Sequence, residues 1–336
     1  MTPFEHLSSR AQMHRLRQVA LKALEAYPFE VRKLTVINHG FNTTFRVDDT
    51  SGRKYALRIN VNSHRTVANV QAEMAWLDAL SRETDLAVVK PVRTTEGHLM
   101  QMLEVPGLSD MRPSALFEWI PGPLLEDKVS VPIVRQLGAV TAKLHVHARQ
   151  WSLPEGCALP VSNKIYLGDE VVLFDERGAE HLSRAQQNLF ETASKKASDV
   201  LNDIWAREGT PIPIHTDLHD GNLKVWRNVL QVFDFDDCAF GHPVQDVANV
   251  LYYQTTYPER EACNQAFIEG YQQVTPWTFE DTEIEALKAG RALLLVNDVL
   301  RNLNPDIRKH IAGFLERTTQ RMTLWLEEGT YRSPQP

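Results

Sequence analysis

His215, Asp217, His219 and Asn222 stand close together in "HTDLHDGN", and "FDFDD" adds Asp234, Asp236 and Asp237 a short way on. Carboxylate and amide oxygens are the donors a hard divalent cation selects. Mg2+ completes its octahedron with water and a substrate phosphate. Asn222 and Asp234 are the candidate ligands for such an ion. Asp217, five residues before Asn222, could share the site without binding the metal and accept a proton from a hydroxyl nucleophile. "LQVFDF", 230–235, is expected as a strand with Val232 and Asp234 on one face and Phe233 and Phe235 on the other. An aspartate at the end of a buried strand is costly unless something positive meets it.

These residues need a scaffold, and 336 residues suffice for two domains of ordinary size. Hydrophobic residues are 43% and charged residues 24%, a globular composition. A net charge of -7 ill suits wrapping nucleic acid, and no apolar run has transmembrane length. Neither a nucleic-acid nor a membrane partner is expected. Cys157, Cys238 and Cys263 form no CxxC pair, and their odd count argues against a full disulfide framework. The first twenty residues lack the apolar stretch of a secretion signal. A reduced, cytoplasmic compartment is the expectation.

Met13, Leu16, Val19, Ala20, Ala23 and Leu24 recur at helical spacing before Pro28. The period then changes. In "VRKLTVINHGFNTTFRVDD", Leu34, Val36, Phe45 and Val47 alternate with polar neighbours; "DDTSG" marks a turn, and "RKYALRINV" reads as another strand. "RTVANVQAEMAWLDALSRE" predicts a helix with Val70, Met74, Leu77 and Leu80 in its buried stripe and Glu73 beside them. Two strands flank a turn at Glu96–Gly97, and "LFEWIPG", 116–122, is an apolar strand closing on Pro and Gly. Beyond it the texture is helical. Ser130 is a plausible N-cap, with Pro132 early in a helix that runs to about His147. Helical stretches follow over 179–207, 260–273, 281–300 and 308–328, and the tail "TYRSPQP" is expected to fray. The expected divisions are 1–115, a β-rich lobe with the N-terminal helix; 116–122, a hinge; and 123–336, a helical lobe carrying the acids.

The order H-x-D-x-x-x-x-N, followed by a strand ending in Asp, resembles the catalytic loop and metal-binding aspartate of the protein-kinase-like fold. "HTDLHDGN", "FDFDD" and "GHPVQDVA" together are similar to the aminoglycoside phosphotransferase and choline kinase branch, which includes type II homoserine kinases and stress-response kinases. The resemblance covers nearly the whole chain in layout and is most specific over 215–246. It implies an α+β, two-lobed fold with a small antiparallel-sheet N-lobe and a larger, mostly helical C-lobe. It also implies ATP and Mg2+ as cofactors and a small-molecule hydroxyl as acceptor. Asp217 matches the aspartate that orients or deprotonates that hydroxyl, and His215 the histidine that braces its loop. Asn222 and Asp234 match the Mg2+ ligands, Asp236 a supporting acid, and Asp246 an aspartate that anchors the catalytic loop. "NHGFNTTFRV" matches the phosphate-covering hairpin, with Gly40 at its turn and Asn42, Thr43 and Thr44 as small donors. Glu73 matches the helix acid that pairs with the phosphate-binding cation, and Glu118, Trp119 and Ile120 lie in the adenine-binding hinge. The usual lysine is here Arg58, a planar fork rather than a point charge, and the hairpin lacks the full G-x-G-x-x-G pattern.

Plainer readings compete. Gly40 serves equally as a hairpin glycine, His219 as a bond within its loop, His145 and His147 as structural residues at a helix end, and Trp119 as hinge packing. Glu283, Glu285, Asp298 and Asp306 could meet a cationic acceptor, and Trp277 and Trp325 could form a cation-binding wall or fill core. A weakly active nucleotide-binding scaffold is one alternative function. A Ser/Thr protein kinase is another, disfavoured because no "A-P-E" segment follows Asp237 and little room is left for an activation loop.

Overall fold

The computed structural model describes residues 2–301 and 310–334. The chain divides into two compact units. The first takes Met1–Pro123, Trp151–Leu159 and Lys224–Asp236; the second takes Leu124–Gln150, Pro160–Leu223 and Asp237–Pro336.

In the first unit α1 (Ser9–Leu24) starts at Ser8, whose hydroxyl accepts from the Ala11 N–H, and buries Leu16, Val19, Ala20, Ala23 and Leu24. That stripe shares a core with Phe45, Val47, Leu57 and Ile59 of the sheet. The strands β1 (Val31–His39), β2 (Thr43–Asp49) and β3 (Lys54–Ile59) form an antiparallel meander. Gly52 turns the chain from β2 to β3 at φ 88°, a left-handed conformation that costs glycine little. Gly40, between β1 and β2, is not at positive φ. The helix α2 (Val67–Glu83) is opened by a reciprocal capping box of Thr66 and Asn69. The short strands β4 (Pro91–Val92) and β5 (Gln101–Leu103) both pair with β6 (Arg112–Glu118), which lies antiparallel on β3. β6 ends at Glu118, so the strand expected over 116–122 covers only the start of that stretch.

In the second unit α3 (Val131–Gln150) buries Ile133, Val134, Leu137, Leu144 and His145. His145 thus lies within the helix rather than at its end. The helix expected over 179–207 begins later, as the long α5 (Arg184–Arg207), and a lone turn α4 (Glu176–Ala179) precedes it. Ser183 makes the break: it and Gln186 form a capping box, which starts a new helix. β7 (Ile212–Ile214) leads into the acid-bearing loop. The hairpin of β8 (Leu223–Trp226) and β9 (Val229–Val232) turns through Arg227 and Asn228, at φ 50° and 62°. Paired left-handed residues match the twist of tightly joined strands.

From Lys224 to Asp236 this hairpin belongs to the first unit. The strand expected over 230–235 stops at Val232, because Asp234 takes φ 63°, which no extended chain allows. The expected alternation therefore breaks: Val232 and Phe235 are buried and Asp234 is exposed. Val232 exchanges backbone hydrogen bonds with Ala87 and Val89 at 2.9 Å each, and Phe235 meets Trp76 of α2 at 5.5 Å between ring centres.

β10 (Ala239–Gly241) pairs antiparallel with β7. The helices α6 (Pro243–Gln254), α7 (Arg260–Gln272), α8 (Asp281–Arg301) and α9 (Ile311–Glu328) follow. α3 and α7 cross through two glycines. A Cβ on Gly138 would lie 1.9 Å from the Phe267 carbonyl oxygen, and one on Gly270 1.9 Å from that of Arg135. The tail is not frayed as far as the described residues reach. Tyr331 is fully buried, its N–H donates to Glu285, and Arg321 donates to Ser333 at 2.9 Å. A small antiparallel sheet with its helices, and a larger, mostly helical second unit, make the α+β protein-kinase-like architecture that the resemblance implies.

Candidate active site

One carboxylate shapes the loop after β7. Asp246, in the first turn of α6, is fully buried. Its Oδ2 accepts the His215 N–H at 2.9 Å and its Oδ1 the Thr216 N–H at 2.7 Å. Oδ2 also meets His145 Nε2 at 3.2 Å, and His145 Nδ1 lies 3.0 Å from the Tyr271 hydroxyl. Burial pushes the Asp246 carboxyl up; the bond and charge of His145 and the nearby His215 outweigh it and hold the group below the ordinary aspartate value. The start of a helix favours the same charge.

Thr216 is left-handed, at φ 66°. For a β-branched residue that conformation costs roughly 1–3 kcal/mol and persists only where the surroundings over-determine it. Here every polar group of Thr216 is held. Its N–H is on Asp246, its hydroxyl donates to the Asp237 carbonyl at 2.8 Å, and its own carbonyl accepts from Asn249 Nδ2 at 2.7 Å. The strained residue stands immediately before Asp217.

Asp217 has both oxygens engaged. Oδ2 accepts from Asn222 Nδ2 at 2.9 Å and lies 3.3 Å from His219 Nε2; Oδ1 accepts from Arg291 Nη2. Asn222 Nδ2 also donates to the Asp217 carbonyl at 2.9 Å. The Asn222 amide nitrogen is thereby committed, and Oδ1 is the atom it can offer a cation. His219 Nδ1 accepts the Gly221 N–H at 2.9 Å, which leaves Nε2 as its donor toward Asp217. Burial pushes the Asp217 carboxyl up, but the His219 bond and the Arg291 charge outweigh it and hold the group well below the ordinary range. Asp220, in the same loop, accepts from the Tyr257 hydroxyl, and burial pushes its carboxyl up.

The first unit holds a second polar cluster. Arg58 of β3 and Glu73 of α2 are buried and paired through two hydrogen bonds, Nη1 to Oε1 at 2.8 Å and Nη2 to Oε2. Arg58 Nη1 also lies 3.7 Å from Asp236 Oδ1. Asp236 accepts from Asn42 Nδ2 at 2.8 Å and from Asn60 Nδ2 at 3.2 Å. Burial opposes the Arg58 charge, and Glu73, Asp236 and Asp234 outweigh it, so its pKa sits above the ordinary arginine value. Arg58 Nε, Asn42 Oδ1 and Asn60 Oδ1 are buried without a partner among the described residues. Such atoms are uncommon in folded proteins.

Thr43 is fully buried, with its hydroxyl 2.8 Å from His39 Nδ1, and Thr44 lies opposite Arg58 in the β2–β3 register. At the end of β6 the Glu118 and Trp119 N–H groups donate to Lys90 and Lys54 carbonyls at 2.9 and 3.2 Å. The Ile120 carbonyl accepts from Lys224 Nζ at 3.2 Å, and that ammonium sits 5.0 Å from the Trp119 ring centre. Trp119 thus carries a cation of its own chain.

Mg2+ suits the donors expected for it. Asn222 Oδ1, in the second unit, and the Asp234 carboxylate, in the first, are each hard oxygens of the kind Mg2+ selects alongside water and phosphate. Among the described residues no group of three or more His, Cys, Asp or Glu could hold a metal; an ion held partly by phosphate needs none.

The other acids have their own partners. Glu283 pairs with Arg207 at 2.7 Å and Glu285 with Lys288 at 2.7 Å. Burial and the Asp169 charge push the Asp298 carboxyl up to about 6. Asp306 lies outside the described residues. Trp277 packs edge-on against Phe267, Tyr271 and Phe279, and Trp325 is buried beneath Lys196; neither forms a wall. Sequence reasoning missed Arg291, Tyr253, Asn249, Asn60 and Lys224. One signal was present for Arg291: it recurs at helical spacing with the buried Ile284, Leu287 and Leu294, and a charge in an apolar stripe needs a buried partner.

Residues 33–284 match the phosphotransferase enzyme family. An uncharacterised protein of Synechocystis sp. is 26% identical over 295 residues, 84% of this chain and 77% of that protein. The amicoumacin kinase of Bacillus subtilis is 22% identical over 246 residues, 72% of this chain and 69% of the kinase. A solved amicoumacin kinase, in complex with AMP-PNP, Ca2+ and Ami, superposes with a TM-score of 0.74 at 20% identity, covering 93% of this chain and 96% of that one. A microcompartment-associated aminopropanol kinase gives 0.76 at 20% identity, over 94% and 99% of the two chains. The family match spans most of the sequence, taking in Asp217, Asn222, Asp246, Arg58 and Glu73 but ending before Arg291, and the solved structures share the fold over more than nine-tenths of the chain. This chain belongs to the phosphotransferase enzyme family, on the aminoglycoside phosphotransferase and choline kinase side of the protein-kinase-like fold.

Proposed function

We propose that the protein transfers the γ-phosphoryl group of ATP to a hydroxyl of a small molecule, with Mg2+ as cofactor. The observation that carries this reading is the bonding of Asp217, an ionised carboxylate on a strained loop, to an asparagine whose remaining side-chain atom is a hard oxygen. Asp217 would receive the acceptor hydroxyl as a hydrogen-bond donor and fix its line of attack. An arginine-bound carboxylate is a weak base, which suits phosphoryl transfer because its loose transition state asks mainly for positioning and charge stabilisation. Asn222 and Asp234 would hold the metal. A bound Mg2+ would supply positive charge to offset that of the phosphates. Arg58, backed by Glu73, would meet the nucleotide phosphates; the β1–β2 hairpin with Gly40, Asn42 and Thr44 would cover them, and Glu118 to Ile120 would face adenine. Asp236 would tie Arg58, Asn42 and Asn60 into one unit.

A small acceptor is favoured over a protein one, because only β10 separates Asp237 from α6. The names of the similar kinases point the search toward amine-bearing alcohols. A reducing, cytoplasmic compartment, the expectation from three cysteines without a CxxC pair, goes with this reading. The test is ATP consumption across amino alcohols, homoserine, choline, aminoglycosides and sugars, with and without Mg2+. At least one acceptor is expected to drive Mg2+-dependent turnover, and Asp217→Asn to lower kcat by about 10²-fold or more with ATP affinity little changed. No acceptor-driven turnover, or near-normal turnover by Asp217→Asn, rejects the reading.

A further inference from the structure

Asp217 is approached by a cation from a distant part of its own unit. Arg291, near the middle of α8, donates from Nη2 to Asp217 Oδ1, and the same nitrogen lies 2.9 Å from the Tyr253 hydroxyl of α6. The guanidinium carbon sits 5.6 Å from the Tyr253 ring centre. The His219 ring packs on the same tyrosine at 4.9 Å between centres, 32° from parallel. One aromatic side chain therefore braces two of the three groups that bind Asp217.

Counting lone pairs gives the consequence. A carboxylate oxygen accepts about two hydrogen bonds. Oδ2 is met by Asn222 at 2.9 Å and His219 at 3.3 Å, so it is filled. Oδ1 is met by Arg291, which leaves one direction on Asp217 for an incoming hydroxyl. Arg291 Nε is buried and has no partner among the described residues. Packing alone would not favour an unsatisfied buried donor.

We propose that Arg291 is the positioning residue of Asp217, holding Oδ1 so that a single lone pair faces the acceptor hydroxyl. The proposal rests on the reading of Asp217 as the group that receives that hydroxyl. Loss of the contact frees the carboxylate to rotate and lowers the fraction of bound acceptor that is aligned for attack. The effect belongs to kcat, because nucleotide binding does not use this contact.

The test is a double-mutant cycle on the full chain, using the best acceptor of the turnover screen. Arg291→Met is expected to lower kcat by about 10-fold or more in the wild-type background, and by less than about 2-fold when Asp217 is already asparagine. Arg291→Lys, which keeps a donor and a charge, should recover part of the loss. Mg2+–ATP affinity by calorimetry should stay within about 2-fold throughout and reports that each variant is folded. Equal losses of kcat in both backgrounds make Arg291 a structural residue and overturn the proposal. So does unchanged kcat in Arg291→Met. Should Arg291→Met fail to fold, the cycle is run with Tyr253→Phe, which removes only the hydroxyl on Nη2; a loss that persists undiminished beside Asp217→Asn overturns the proposal. Absence of turnover by the wild type with every acceptor overturns the phosphotransfer reading instead, and this inference with it.

Discussion

At the scale of single residues, the buried charges of Arg58, Glu73, Asp246 and Lys288 are each met by an opposite charge or by hydrogen bonds. Glu73 is the sharpest case, because Arg58 is buried with it and Asp236 is farther, at 3.7 Å. Breaking a buried pair leaves an uncompensated charge and costs about 3–5 kcal/mol. Glu73→Gln, which keeps the shape and one acceptor, is expected to cost about 3 kcal/mol in urea unfolding and to weaken nucleotide binding. A cost under about 1 kcal/mol would mean that Asp236 alone satisfies Arg58. Thr216 shows the same logic in the backbone: an unfavourable φ survives because three hydrogen bonds fix it.

At the scale of elements, the loop that bears Asp217 is placed by helices remote from it in sequence. α6 supplies Asp246, Asn249 and Tyr253, α8 supplies Arg291, and α3 supplies His145 behind Asp246. α3 is in turn set by its crossing with α7, where Gly138 and Gly270 let the backbones touch. An exposed helical Gly→Ala change gains about 1 kcal/mol from propensity. At this crossing the sign reverses, since the new methyl would sit 1.9 Å from the Arg135 carbonyl oxygen. Gly270→Ala is expected to cost about 3 kcal/mol by overpacking. Chemical denaturation decides it, and a gain in stability would show that the helices separate freely.

At the scale of the whole molecule, ligand linkage reads the proposed metal site without needing an acceptor. Anything that binds the native state alone stabilises it, by about 2.7 kcal/mol at a hundredfold excess over Kd. ATP is expected to raise the melting temperature of the wild type by several degrees more with Mg2+ present than with it chelated. In Asp234→Ala the added metal should make almost no difference. An equal Mg2+ effect in both proteins removes Asp234 from the ligand set. The chain itself crosses between the units more than once, since Trp151–Leu159 and Lys224–Asp236 return to the first. None of its described helices is long and apolar enough to cross a membrane.

The sequence by itself carried the spacing of Asp217, Asn222 and Asp234, the strand and helix order, and the family. These rest on local rules: side-chain period, turn residues and short motifs act within a few positions. Where a local preference had a rival nearby, the reading slipped. Ser183 capped a new helix inside an apparently continuous one, and the left-handed Asp234 ended a strand whose apolar alternation ran on. Partner choice was decided only by the tertiary structure. Arg291 stands 74 positions from Asp217, and Asn42 stands 194 from Asp236. Nothing in a local pattern ranks one distant cation or amide above another. Packing selects it, because a buried charge must be met by whichever donor the folded helices and strands bring within hydrogen-bond reach.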